Sequence, residues 1–536
     1  MKKRRTTDRS SRGRRSKVKR RRISAQIGRA LQATAAWNYT GVILGSFYFI
    51  VAGVISFRYH KILDFGMESD FLFEYVPVAR KIAEGALPVS GYRGPVYPIL
   101  LAAANAVIGD YFKSGLLIGL IAAAVTLAIS YALIRRLFKA EIALAVVLLM
   151  MASPYFFMYT YQLGTDILFG ALVTASLYFL LAGAEMNWKR LSASAVLGAL
   201  AYLTRYNGVF ILAAPILILI SNPWKLDWRR RFAAASLFAA IFFACITPWG
   251  LHCLKQKGSF FYSENHQNIA YEIYGQSRMS REEFFWKGNP FESMSMAALV
   301  TYDPPVFLSA LARNLFNHTL ETVQNLLGWP LGILALAGLV MLLRRRDPSR
   351  TAYLLLHVAF FLVLLPVHFE IRYPLFMLAG LLTLSVCGLF LWDLNVAKRF
   401  VHASVAVLAG LAIYAGWNSY EINSRQISSG PREVVAIADW FKANVPAEKR
   451  GVTVAARKPH VAYYMGIEYV PLPFVNSPDE LIRKLKEQNV DYLYFGPMEF
   501  FMRPELKVLI DARRTWPGLK KIATSNDPSS VLYEIE

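Results

Sequence analysis

Cysteine is nearly absent from this chain: there are three in 536 residues, Cys245, Cys253 and Cys387. No Cys-x-x-Cys or Cys/His cluster occurs, so neither a disulfide framework nor a zinc site is expected. Cys245 and Cys387 fall in apolar runs and read as packing residues. Charge is scarce too, at 18% of residues against 55% hydrophobic, where soluble domains carry about 25% charged. That deficit, with a mean hydropathy of +0.35, excludes an ordinary soluble protein and points to burial in a bilayer. Gly-rich phosphate loops and the G-x-G-x-x-G pattern are missing, which removes the common nucleotide-binding signatures. No internal repeat is evident, and low complexity is confined to the N-terminal tail.

What is present begins with charge of one sign. The net charge is +23, and much of it sits in the first 22 residues, MKKRRTTDRSSRGRRSKVKRRR. No aromatic residue interleaves that run, so it reads as a solvated tail beside an anionic leaflet rather than a nucleic-acid site. A cleaved signal peptide is not expected, because the first apolar stretch starts near Thr40 and is too long for one.

Apolar runs of roughly 20 residues, the length that crosses a hydrocarbon core, then recur. Spans are predicted at 40–58, 114–134, 141–158, 166–184, 191–203, 208–221, 232–250, 326–343, 351–367, 374–392 and 401–417, about eleven in all. The short pair 191–203 and 208–221 flanks a polar break, 204–207. It reads as two short helices meeting at one face, or as one broken span. With the tail inside, the loops Arg135–Lys139, Asn187–Arg190, Lys225–Arg231, Arg344–Arg350 and Lys398–Arg399 all fall inside and all carry Lys or Arg, as the positive-inside rule requires. An odd count places the C-terminus outside.

The division expected is a basic cytoplasmic tail over 1–39, a transmembrane domain over 40–417 with large outer segments 59–113 and 251–325, and an outer soluble domain over 418–536. The first outer segment holds an amphipathic stretch, 70–85, and a short apolar helix, 95–109, placed in the membrane interface. The second is aromatic and suits a lid or vestibule. In the soluble domain, helical periodicity over 432–444, 478–488 and 504–514 alternates with strands at 451–456, 467–472, 490–495 and 530–535. This predicts a small α/β fold with a mainly parallel sheet.

Polar residues cluster on the outer side of this topology. Glu68, Asp70 and Glu74 with Tyr75 follow the first span. Asp70 can be a general base, or it or Ser69 can cap the next helix. Asp166 opens the fourth span, where an acid also favours the helix dipole. Arg205 lies in the polar break, and Arg372 in His368-Phe-Glu-Ile-Arg-Tyr-Pro374. Arg93 sits between Tyr92 and Tyr97 in Gly91-Tyr-Arg-Gly-Pro-Val-Tyr97. Guanidinium groups bind phosphate oxygens in pairs; they can equally snorkel to headgroups or, for Arg372, pair with Glu370. Tyr92 and Tyr97 are belt aromatics or substrate contacts. Lys458 and His460 read as satisfied surface residues of the soluble domain, with contact to an anionic ligand as the alternative.

In this order, these residues resemble the membrane glycosyltransferases of the C-type (GT-C) fold, especially the protein O-mannosyltransferase and aminoarabinose–lipid A transferase group. The best segment is Asp70 through Leu101, DFLFEYVPVARKIAEGALPVSGYRGPVYPILL. Asp166, Leu203-Thr-Arg-Tyr-Asn-Gly208, Arg372-Tyr-Pro374 and Ala456-Arg-Lys-Pro-His-Val-Ala-Tyr-Tyr464 extend it. The resemblance implies a hexosyl- or pentosyltransferase in the cell membrane. It would move a sugar from a polyprenyl phosphate to a lipid, protein or glycan acceptor outside, with inversion.

By the same resemblance Asp70 would be the base, with Asp166 assisting, and Arg93, Arg205 and Arg372 would hold the donor phosphate. Glu68, Glu74, Tyr75, Tyr92, Tyr97 and Tyr373 would be possible substrate contacts. No cofactor is required on this reading, and a divalent metal is left open. One departure stands out: the family Asp often precedes its Tyr by four residues, whereas Asp70 precedes Tyr75 by five, as a one-residue insertion would produce, and this leaves Glu68 and Glu74 as weaker rivals for the base. A transporter or flippase, or a non-catalytic scaffold, are the competing classes. Charge-poor spans and the lack of an inverted repeat argue against transport.

Overall fold

The computed structural model describes residues 37–536 except 63–64, 346, 391–396, 429, 512 and 527, without the side chains of 397–402 and 449. The basic run of the tail therefore lies outside the described residues, as do the side chains of Lys398 and Arg399.

Among the described residues, each of the eleven predicted spans lies mostly on helices. In chain order these are α1 (Thr40–Tyr59), α2 (Met67–Asp70, Phe71–Tyr75 and Val76–Ala83), α3 (Val96–Ile108), α4 (Tyr111–Leu137), α5 (Ala140–Ala152), α6 (Pro154–Tyr161), α7 (Asp166–Leu181), α8 (Trp188–Thr204), α9 (Ala213–Ser221) and α10 (Trp228–Lys257). Next come α11 (Pro304–Glu321), which lies within 251–325, and then α12 (Trp329–Arg345), α13 (Pro348–Leu364), α14 (Leu378–Leu389) and α15 (Ala397–Ser428). Length and apolarity, however, qualify only three described helices to cross a bilayer alone, α1, α4 and α10, or five spans if each bent pair counts as one.

The shortfall from eleven has local causes. Pro154 cannot continue a helix, so α5 and α6 meet at 61°. Gly328, at φ 78°, turns the chain between 304–327 and α12 by 117°. At the polar break, Arg205 is extended and a 3₁₀ turn follows over Tyr206–Leu212. Here the chain reverses: Gly198 faces Ile211, and Gly208 lies against the Tyr202 backbone. The break thus folds the 3₁₀ turn back onto α8 rather than carrying the chain straight on as one span.

The second outer segment is more helical than a loop. It includes Asn265–Ala270, Arg281–Trp286, Met296–Tyr302 and α11, around a buried cluster with Tyr274, Phe284, Phe291 and Leu299. Elsewhere small residues let helices touch. A Cβ on Gly338 of α12 would lie 2.0 Å from the Leu384 carbonyl oxygen of α14, and one on Gly388 2.0 Å from that of Leu334.

The C-terminal sheet runs in the order β2-β1-β3-β5-β4, with β1 Thr453–Ala456, β2 Glu468–Pro471, β3 Tyr492–Phe495, β4 Leu519–Asn526 and β5 Ser529–Ile535. β1 pairs in parallel with β2 and β3, while β5 is antiparallel to β3 and β4. The sheet is therefore mixed, not mainly parallel. The unpredicted strand is β4, a half-solvated edge strand rich in lysine. The stretch predicted as a helix over 504–514 is a 3₁₀ turn, Pro504–Ile510.

His460 is not on the surface as predicted. It is fully buried, with its ring 4.6 Å from that of Phe65, and the Tyr464 hydroxyl donates to the Ile62 carbonyl at 2.7 Å. The domain is thereby seated on the segment that leads into α2.

Candidate active site

α2 begins at Met67, so neither Ser69 nor Asp70 caps it; the Ser69 hydroxyl instead donates to the Phe65 carbonyl at 2.6 Å. Residues Phe71–Tyr75 form a π turn. A π turn absorbs one extra residue in a helix and brings positions i and i+5 together. This explains the five-residue spacing, because Asp70 and Tyr75 both reach Arg93. The Arg93 Nε–H donates to the Tyr75 hydroxyl at 2.6 Å and an Nη2–H to Asp70 Oδ2 at 3.1 Å.

Arg93 is clamped by its backbone neighbours. A Cβ on Gly94 would sit 1.9 Å from the Leu203 carbonyl oxygen, so only glycine lets this loop lie against the end of α8. On the other side the Gly91 carbonyl accepts from the Glu264 N–H at 2.6 Å, and the Tyr92 carbonyl from the Asn265 side chain at 3.1 Å. Burial works to lower the pKa of Arg93, but Tyr75, Asp70 and Glu74 outweigh it and hold the guanidinium charged.

The other predicted residues converge here. Arg372 Nη1 lies 3.7 Å from Asp70 Oδ2, and Arg372 also pairs with Glu370. Burial pushes the Glu370 carboxyl up, yet the His368 hydrogen bond at 2.9 Å and Arg372 overcome it and bring it down to about 2. Arg205 pairs with Asp166 and donates to the Thr165 hydroxyl at 3.3 Å. The Tyr373 ring lies beside both cations, 5.5 Å from the Arg205 guanidinium and 5.4 Å from that of Arg372. Four segments at helix ends thus meet in one array, with three arginines facing Asp70, Asp166 and Glu370.

Exposure separates the acids. The Asp70 side chain is 36% exposed and that of Asp166 4%. Asp70 can therefore meet a substrate, whereas Asp166 is locked against Arg205. Glu68 is fully buried and bonded to His60 Nε2 at 2.6 Å, away from the open face. Glu74 bonds to Ser90, and burial raises its pKa, against the opposing effect of Arg93. Burial likewise moves the Tyr92 hydroxyl to about 12. Tyr97 is buried edge-to-face on Tyr75, with centroids 4.9 Å apart. Ser90, Glu264 and Arg281, whose Nη1 lies 3.5 Å from His368 Nε2, were not anticipated. The signal for Glu264 was Gly91, where an added Cβ would run into the Glu264 side chain. Among the described residues no group of three or more His, Cys, Asp or Glu could hold a metal ion.

A helical membrane domain with such a site at one end, followed by a small sheet domain, has the C-type fold of membrane glycosyltransferases. The profile of the dolichyl-phosphate-mannose-protein mannosyltransferase family matches residues 92–252, a stretch with Arg93, Asp166 and Arg205 but not Asp70 or Arg372. Among solved structures, the chain is similar to ArnT from Cupriavidus metallidurans bound to undecaprenyl phosphate: TM-score 0.56, 14% identity, 92% of this chain and 98% of that one. It is similar also to the oligosaccharyltransferase AglB from Archaeoglobus fulgidus in complex with an inhibitory peptide and a dolichol-phosphate: TM-score 0.52, 14% identity, 85% of this chain and 70% of that one. Comparison of the sequence with curated proteins gives no match.

Proposed function

We propose that this protein is a membrane glycosyltransferase that moves a sugar from a polyprenyl-phosphate donor to an acceptor on the outer side of the membrane. The observation that carries the reading is the Arg93–Asp70–Arg372 bridge, an accessible carboxylate set between two guanidinium groups. A donor phosphate at this spot meets both cations. Asp70 takes the proton of the acceptor hydroxyl or amine. The freed lone pair attacks the anomeric carbon from the face opposite the phosphate. The bond from that carbon to the phosphate oxygen breaks, and the lipid phosphate leaves as an anion stabilised by Arg93 and Arg372. One displacement inverts the anomeric centre. Asp166 orients Arg205, which supports the phosphate through the Tyr373 face.

The fold shared with proteins bound to undecaprenyl phosphate and dolichol-phosphate supports the donor class. The positive-inside pattern supports a cytoplasmic N-terminus and an outer C-terminal domain.

The test is transfer by purified protein in nanodiscs, from labelled polyprenyl-phosphate sugars to a membrane-plus-envelope extract, with Arg93→Ala and Arg372→Ala alongside. The wild type should label an acceptor and each variant should lose about a hundredfold or more. No transfer from any donor, while another enzyme of this fold works in the same assay, would sink the reading.

A further inference from the structure

Glu370 divides its two carboxylate oxygens between different partners. Oε1 lies 2.9 Å from His368 Nε2, and Oε2 is paired with Arg372 Nε. The hydrogen in the first contact belongs to the histidine. Burial opposes ionisation of Glu370, but His368 and Arg372 outweigh it and bring the carboxyl down to about 2, so it only accepts. His368 Nε2 therefore carries its hydrogen toward Glu370. The Tyr373 hydroxyl at 3.4 Å and Arg281 Nη1 at 3.5 Å stand around the same nitrogen at longer range.

This division matters for Arg372. A carboxylate free to turn takes a guanidinium with both oxygens on two parallel N–H groups, the stronger arrangement. Such a clasp would occupy the nitrogens that Arg372 needs for a phosphate. With Oε1 committed to His368, Glu370 meets Arg372 at Nε, and Nη1 is left facing the accessible Asp70 at 3.7 Å.

We propose that His368 is a positioning residue for donor binding: by holding one oxygen of Glu370 it prevents a two-oxygen clasp on Arg372 and keeps the Nη groups of that guanidinium for the donor phosphate. This rests on the reading of Arg372 as a phosphate-binding group. Undecaprenyl phosphate is titrated into the full chain in nanodiscs, with undecaprenol as the arm that reports partition into the bilayer alone. His368→Ala should bind the phosphate about tenfold more weakly, whereas His368→Gln, whose amide N–H stands where Nε2 does, should stay within about threefold of the wild type. The double variant His368→Ala/Glu370→Gln should recover the affinity lost in His368→Ala, because an amide does not compete with phosphate for Arg372; a histidine that only supports the fold would give additive losses. In the transfer assay the same loss should appear in KM for the donor and not for the acceptor. Should His368→Ala not fold, His368→Asn, whose amide stands at Nδ1 and falls short of Glu370, replaces it with the same expectations. Equal binding by the wild type and His368→Ala, or additive losses in the double variant, overturns the positioning role and leaves the glycosyltransferase reading in place. A wild type that binds undecaprenyl phosphate no better than undecaprenol overturns both.

Discussion

Replacing Asp70 by asparagine tests the chemistry most directly, because it removes a charge and a proton acceptor while preserving shape. The asparagine carbonyl can still accept from Arg93, which donates to Asp70 at 3.1 Å in the native protein. The carboxylate is 36% exposed, so its ion pairs are solvent-screened and their loss should shift stability by less than about 1 kcal/mol. The rate should respond far more. Loss of a positioned general base costs about 10²–10⁴-fold, or about 2.7–5.5 kcal/mol of barrier. Donor binding should hold or tighten, since Arg93 and Arg372 no longer share their charge with a carboxylate. Single-turnover transfer at saturating donor measures the rate, and titration with polyprenyl phosphate measures affinity. Transfer within about threefold of wild type, or a loss that appears only in donor affinity, would refute the assignment of Asp70 as base.

Three further substitutions probe the scaffold. Gly94→Ala should destabilise the fold by about 1–3 kcal/mol and depress transfer, because the new Cβ meets the Leu203 carbonyl and shifts Arg93; an unchanged melting temperature with unchanged activity would contradict that close approach. Arg205→Leu should cost about 3–5 kcal/mol by stranding buried Asp166, while Asp166→Leu/Arg205→Leu should recover much of it; equal melting temperatures for single and double variants would count against the buried pair. For Glu74 the folded pKa is raised above the ordinary 4.5. Its contribution is therefore fully present below that value and lost as pH rises through the folded pKa. The melting temperature of Glu74→Gln should gain on the wild type as pH rises from 4 to 8, and a gap that shrinks instead would reverse the sign.

Much of the array was legible in the sequence because arginine and aspartate at the ends of apolar runs stand out. Asp166, Arg205 and Arg372 each mark the boundary of a helix, and alternation of sides put them on one face. What decided between Glu68 and Asp70 was helical phase: two residues apart, they point about 200° from each other, so one is buried on His60 while the other faces Arg93. The π turn left only a spacing anomaly, since one inserted residue carries no compositional mark. Glu264 reaches Gly91 across more than 170 residues of chain, and no local pattern records that. β4, LKKIATSN, alternates too weakly because its outer edge is solvated. His460 was misplaced because a histidine between proline and an apolar run looks exposed until Phe65 covers it.

The contacts of the C-terminal domain give it a physical route to the chemistry. Glu282 bonds to Arg457 and lies 3.6 Å from the buried Arg503, so two cations of that domain hold the short helix Arg281–Trp286. Arg457 also lies 5.1 Å from the Trp286 ring, which closes the joint. The residue next to Glu282 is Arg281, which reaches His368, and His368 in turn bonds to the Glu370 that pairs with Arg372. Two neighbouring residues therefore face opposite ways, one toward the sheet domain and one toward the arginine array. A second joint, Tyr464 on the Ile62 carbonyl and His460 on Phe65, meets the chain just before α2, which carries Asp70. The domain thus braces both partners of the Asp70–Arg372 bridge. A shift of the domain relative to the bundle would change the separation of Asp70 and Arg372, the proposed base and the proposed phosphate-binding arginine, a distance on which displacement would depend steeply.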